Sequence, residues 1–309
     1  MSGYVLTSAG LEVEVWEHGA RLVGVFAPDR DGKRANVVLR HPTLDDYTGH
    51  DHAYFGATIG RYANRIANGR LQLGDRQFQL SVNEGRHQLH GGSVGFDQHV
   101  WETVAVSNDS VTFRHVSSDG DQGFPGEVSV EVTYALAGTQ LSIDTVAVTD
   151  ADTVFGSTNH AYWNLAGGGT IADHNLSAPA SRFVEIDDDL IPTGRLGDVE
   201  GSRFDFSTSE PLAPLVASGG IDHCLVYADG AARAQLSHPE SGRIMTIDSD
   251  QPGMQVYTGQ YLPDPFSGMC LEPQQLPDTP NHPAFGSSLL RPGETYRHRA
   301  TYTFGLMPS

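Results

Sequence analysis

The chain has 309 residues, of which 38 are acidic and 19 are Lys or Arg, for a formal net charge of −19. A protein that neutralises phosphates needs a basic face, so this balance argues against nucleic acid as a partner. No apolar run reaches the length of a bilayer span and residues 1–19 lack a basic start followed by an apolar block, so a cytoplasmic protein without membrane attachment is expected, its two cysteines (Cys224, Cys270) reduced and packed.

Residues 4–7 and 11–16 alternate apolar and polar side chains around a Ser-Ala-Gly break, which predicts a hairpin. Residues 21–26 follow, then turn chemistry at residues 28–32, a short apolar run at 36–39 and a polar loop at 41–51. Residues 71–80 alternate on both sides of Gly74-Asp75, as a tight hairpin requires. Further period-two runs occupy residues 111–116, 128–134 and 141–145, the last two joined by Ala137-Gly138-Thr139. Later strand patterns lie at 183–186, 234–236, 244–247, 254–258 and 296–304, and no segment carries a helical period. Residues 166–173, 187–209 and 260–288 read as loop excursions. Many short strands with Gly and Pro punctuation and no linker predict an all-β antiparallel sandwich, with few or no helices, built as one domain over residues 1–309.

The segment Gly156-Ser157-Thr158-Asn159-His160-Ala161-Tyr162-Trp163-Asn164-Leu165 sets polar groups among apolar ones. In an extended chain His160, Tyr162 and Asn164 share one face, a row suited to a polyhydroxylated ligand; for any one of them a hydrogen-bonded core residue is the competing reading. Glu272 opens a proline-pinned, irregular segment, where a carboxylate is fixed yet accessible, as a general base must be; Asp278 and Asn281 further along read as loop-shaping. Gly60-Arg61-Tyr62-Ala63-Asn64-Arg65-Ile66 brings two guanidinium groups near an amide, His90 precedes two glycines that permit close backbone approach, and Asp222 offers an acceptor at a strand entrance. The pairs His50/His52 and His87/His90 lack the cysteine or acidic partners of a metal centre, and there is no phosphate-binding glycine loop and no Gly-x-Ser-x-Gly elbow.

Taken in order, several of these segments resemble the aldose 1-epimerase family: residues 55–66, Leu89-His90-Gly91-Gly92, Gly123-Phe124-Pro125-Gly126, residues 158–165, Ile191-Pro192-Thr193-Gly194, Asp222-His223, residues 255–259, and Glu272 with Pro277-Asp278. The resemblance implies a large β-sandwich with an open cleft for a monosaccharide, no metal and no organic cofactor; a monomer or homodimer is expected. It implies Glu272 as general base and His160 as general acid. Asn64, Arg65, His90, Tyr162, Asp222 and Gln255 match substrate-contacting positions, with Arg61 close to them. His87 departs from the family pattern at the expected cleft rim. A sugar-phosphate mutarotase, a carbohydrate-binding module and a glycosidase using Glu272 and Asp222 are the rival readings.

Overall fold

The computed structural model describes residues 2–43, 45–48 and 53–308. The pair His50/His52 and the end of the 41–51 loop fall outside them. The largest element is a nine-stranded antiparallel sheet with the spatial order Glu102–Val106, Ser110–Ser117, Val128–Ala137, Gln140–Thr149, Tyr296–Leu306, Arg243–Ser249, Arg233–Ser237, Asn175–Ala178, Phe206–Pro211. Its centre grows from hairpins local in sequence, and the C-terminal strand then inserts between Gln140–Thr149 and Arg243–Ser249. Alternation decides the faces: Val128, Val130, Val132 and Tyr134 are fully buried while the residues between them are half-exposed. The hairpin expected over residues 71–80 forms between Arg70–Leu73 and Arg76–Gln79, with Gly74 at φ +57°.

A six-stranded sheet packs across this one, in the order Tyr162–Trp163, Met269–Gln274, Gly253–Tyr257, Asp222–Val226, Arg182–Ile186, Pro192–Asp198. Its inner face contributes Trp163, Met269, Leu271, Met254, Val256 and Leu225 to the main core, where the Trp163 and Tyr302 rings lie 5.1 Å apart. Each such apolar side chain removed from water contributes about 1.5–3 kcal/mol, which fixes the face of every strand that carries one. A four-stranded N-terminal sheet (Gly3–Thr7, Glu12–Trp16, Arg21–Pro28, Arg34–Asn36) adds Leu6, Val13, Val15, Leu22 and Val25 to the same core. The Tyr134 hydroxyl ties it to the large sheet by donating to the Ala20 carbonyl at 2.6 Å.

The described residues include two short helices, Asp45–Thr48 and Ala213–Ala217, in line with the few or none expected and each too short for a helical period to show in the sequence. Two expectations need correction. The 187–209 excursion contains the strand Pro192–Asp198, whose Gly194 and Gly197 disguise it as loop. The 260–288 excursion contains Met269–Gln274, which is buried on both faces and so has no alternation to read.

Candidate active site

The outer face of the six-stranded sheet carries polar groups in two rows set by backbone register. Gln255 lies between Cys224 and Glu272 in one row; in the next, Asp222 pairs with Tyr257, Tyr257 with Cys270, and Cys270 with Tyr162. Residues one step along each strand point into the core, so period two delivers Tyr162, Asp222, Gln255, Tyr257 and Glu272 to one surface. That surface floors a cavity of about 610 Å³. Glu272 therefore stands in the middle of a strand and is only 2% exposed; the expectation of an irregular, accessible segment was wrong about its setting.

His160 reaches the cavity from the two-residue link between Thr158–Asn159 and Tyr162–Trp163. Its neighbours explain why a polar run is tolerated in a buried place. The Ser157 hydroxyl donates to the Ile59 carbonyl, Thr158 Oγ1 to Pro273, and Asn159 Nδ2 to Gly56 and to the Tyr134 hydroxyl. Asn164 is not part of the row with His160 and Tyr162: its amide donates to the carbonyls of Gly168, Gly169 and Ser267 and shapes a loop. The His160 Nε2 lies 3.8 Å from Glu272 Oε1, and its Nδ1 contacts Cys270 Sγ at 3.5 Å. The first distance is too long for a direct hydrogen bond between the two groups.

The wall opposite comes from residues 60–66 and 88–92. Arg65 and Ile66 pair with Leu89 and Gln88, and Asn64 and His90 lock the junction by exchanging bonds: Asn64 N donates to His90 Nδ1 and His90 N to the Asn64 carbonyl, both at 3.2 Å. Asn64 and His90 sit at φ +69° and +52°. The following Gly91 is obligatory, since a Cβ there would fall 1.9 Å from the Gly60 carbonyl oxygen. Arg65 lines the cavity and is held by Glu84 through two contacts, Nε to Oε2 at 2.6 Å and Nη2 to Oε1 at 2.8 Å, which leaves the Nη1 donors. Arg61 does not join them. Its guanidinium turns into the protein and donates to the Ser117 hydroxyl and to the carbonyls of Ser117, Ser118 and Pro125, so its placement beside the substrate-contacting positions is corrected. His87 likewise faces inward, accepting from Asn68 N at 3.0 Å, and is not among the cavity-lining groups. Asp278 and Asn281 shape the loop as expected, with Asp278 Oδ1 accepting from Ala67 N and from Asn281 Nδ2.

Electrostatics separate the cavity's acids and bases by role. Burial, with the nearby Asp222 carboxylate, pushes Glu272 well above the ordinary glutamate range, and its Oε2 has no hydrogen-bond partner. Burial also raises Asp222, opposed by the Arg65 charge and by Gln255 Nε2, which donates to Asp222 Oδ1 at 2.5 Å. Gln255 Oε1 is left as an unpartnered acceptor. Burial, reinforced by His160 and Arg65, holds His90 well below the usual histidine value, so it is neutral. Because its Nδ1 accepts from Asn64, its Nε2 carries the proton and donates.

A carboxylate and an imidazole facing each other across a polar cavity on such a sheet can be compared with known proteins. A sequence profile described as aldose 1-epimerase matches residues 3–303. The chain belongs to the aldose 1-epimerase family. Galactose mutarotase from Mus musculus is 38% identical over 322 residues, covering 98% of this chain and 94% of the mouse protein. Aldose 1-epimerase from Haemophilus influenzae is 36% identical over 296 residues, covering 89% and 86%. Among solved structures, the aldose epimerase homologue from C. elegans superposes with a TM-score of 0.93 at 31% identity, over 99% of this chain and all of that one. Within this aldose 1-epimerase fold, the cavity groups that escaped the sequence reading include Tyr257 and Glu84. Tyr257 is two residues from Gln255 and period two would have found it; Glu84, the partner of Arg65, lies in a loop and gave no signal.

Proposed function

We propose that the chain interconverts the α and β anomers of free aldohexoses, galactose and glucose among them, by opening and reclosing the pyranose ring. The observation that carries this reading is the placement of Glu272 Oε1 and His160 Nε2 3.8 Å apart in the lining of one cavity, an acid and a base close enough to serve two oxygens attached to one carbon. Glu272 takes the proton of the anomeric hydroxyl. As the C1 carbonyl forms, the C1–O5 bond breaks, its electron pair goes to O5, and His160 Nε2 gives O5 a proton. Rotation about C1–C2 turns the other carbonyl face toward O5. His160 then recovers its proton as O5 attacks C1, Glu272 returns its own to the new hydroxyl, and the opposite anomer results with nothing consumed.

The remaining groups hold hydroxyls in this reading: His90 Nε2–H, Arg65 Nη1, Asn64 and Tyr162 as polar contacts, and Asp222 with Gln255 Oε1 as acceptors. A raised Glu272 pKa suits the role, since a base whose pKa approaches the working pH transfers protons with the least mismatch. A phosphorylated hexose fits less well. Arg61 is spent on loop carbonyls and Arg65 is engaged by Glu84, while Asp46, Asp222 and Glu272 line the cavity. The reading also takes residues 1–309 as one domain, acting as a monomer or homodimer on a small sugar in the cytoplasm; among the described residues no helix is long and apolar enough to cross a membrane.

The test is polarimetry on freshly dissolved α-D-galactose and α-D-glucose. Wild type hastens the approach to equilibrium rotation, and Glu272→Gln and His160→Gln each lose about 10²-fold or more in turnover, the scale of general acid or base catalysis. Full turnover in either variant removes that residue from its role, and wild-type rates no faster than buffer overturn the reading.

A further inference from the structure

Away from the sugar cavity, three side chains from separate segments converge. His99 follows the turn Phe96–Gln98, His115 lies on the strand Ser110–Ser117, and Asp121 opens the turn Asp121–Gly123. One ligand atom from each falls within 4.8 Å of the other two. We propose that these residues form a binding site for a divalent transition metal, with Zn2+ as the ion that fits.

The donor set comes first. Two imidazoles and one carboxylate, with water completing the shell, suit Zn2+ among the divalent metals. A tetrahedral Zn2+ with bonds near 2.0–2.1 Å separates its ligand atoms by about 3.3 Å, so small side-chain rotations close the remaining gap. The backbones are fixed independently of the ion: the His99 carbonyl accepts from Gly19 N at 2.8 Å, His115 pairs with Val130 in the ladder, and Asp121 N donates to the Ser118 carbonyl.

The second observation is the state of the imidazoles. Their rings are 4.5 Å apart and 28° from parallel, and the Nε2 atom of each is sealed from solvent without a hydrogen-bond partner. Two buried ring nitrogens left unpaired side by side are costly, and a cation satisfies such nitrogens directly. The surroundings also match a metal centre. Phe96 and Trp101 pack their rings 5.2 and 5.4 Å from that of His115, giving the apolar shell that raises ligand affinity. The carboxylate is oriented from behind: Ser117 Oγ donates to Asp121 Oδ2 at 2.5 Å and accepts from Arg61 Nε at 2.7 Å. The Arg61 charge opposes a cation, but Asp119, Asp121, Glu127 and Asp150 surround it and keep the local balance negative. Such an ion clips three segments together and touches no group of the sugar site.

Isothermal titration with Zn2+, and Co2+ as a visible reporter, tests this on the intact protein. One equivalent is expected to bind, with Co2+ showing d–d bands of a low-symmetry site and no thiolate charge-transfer band. Zn2+ at a hundredfold excess over its Kd is expected to raise Tm by about 3–5 °C, reversed by chelator. His99→Gln and His115→Gln should each weaken binding by about 10²-fold or more and abolish the Tm rise, while the metal-free mutarotation rate stays within threefold of wild type. If either variant fails to fold, the Co2+ spectrum of wild type still decides. A thiolate band, or binding abolished by Cys270→Ser and kept in the histidine variants, puts the ion at His160, Cys270 and Glu272, whose donors also lie within 4.8 Å, and overturns the proposal. Absence of binding at micromolar Zn2+ overturns it equally.

Discussion

Arg61 and Arg65 are four residues apart in one motif, yet the structure gives them opposite tasks, and Arg61→Met separates the two. The methionine retains the apolar stem and removes every donor of a side chain that is 2% exposed. The carbonyls of Ser117 and Pro125 are buried and each loses its charged donor, at about 1–3 kcal/mol apiece. The Ser118 carbonyl is only part-buried and recovers part of its loss, while the buried Ser117 hydroxyl keeps its bond to Asp121. The sum is about 3–5 kcal/mol, the range that breaking a buried charged contact gives by an independent route. Against a total stability of about 5–15 kcal/mol this is a large fraction, and a chain of this size should melt roughly 5–10 °C lower. Burial already pushes the Arg61 guanidinium down to about 10, a sign of how far it is withdrawn from solvent. Urea unfolding gives the stability, and polarimetry below the transition gives kcat and KM. The expected result is an unstable enzyme whose kcat/KM stays within about threefold of wild type, with Arg65→Met showing the reverse. A stable Arg61→Met protein with a tenfold higher KM would refute the reasoning and return Arg61 to the sugar site.

Other perturbations follow from the same geometry. Because the Asp222 charge helps to raise the Glu272 pKa, Asp222→Asn lowers it; the base then stays ionised further into acid, and the acidic limb of the pH–rate profile should move to lower pH, whatever the loss in absolute rate. A limb that stays put or moves upward contradicts the pairing. Glu84→Gln removes the charged brace of Arg65 and should raise KM about 3- to 10-fold with kcat nearly unchanged, read from saturation curves on galactose; an unchanged KM would mean the brace is not needed for binding. Tyr134→Phe strips the hydroxyl that donates to Ala20 and accepts from Asn159, and should cost about 1–3 kcal/mol in urea unfolding without altering the pH profile. A shifted profile would place Tyr134 in the catalytic network.

Period-two runs over residues 111–116, 128–134 and 141–145 predict real strands because each has one buried and one half-exposed face, and the side-chain code is then binary. The same code is silent for Met269–Gln274, where both faces are covered, and so Glu272 was read as a loop residue. His160 and Tyr162 do share the cavity as spacing suggests, whereas Asn164 leaves it because the chain has begun to turn at Leu165. The choice between Arg61 and Arg65 depended on which way a short segment faces after Gly60, a property of its packing against Ser117 and Pro125 rather than of its composition. Contacts such as Arg65 with Glu84, or His99 with His115 and Asp121, join strands to loops, and the sequence carries no information about their meeting.

The two polar rows on the six-stranded sheet have a consequence for assembly of the molecule itself. If Met269–Gln274 slipped by one residue against Gly253–Tyr257, Glu272 would enter the greasy interior beside Met254 and Val256, and Leu271 would face the cavity. Burying that carboxylate among hydrocarbons costs several kcal/mol, so misregistered chains are heavily penalised. The polar residues of the cavity floor thus act as proofreaders during folding, and a variant that trades them for leucine gains the freedom to fold wrongly.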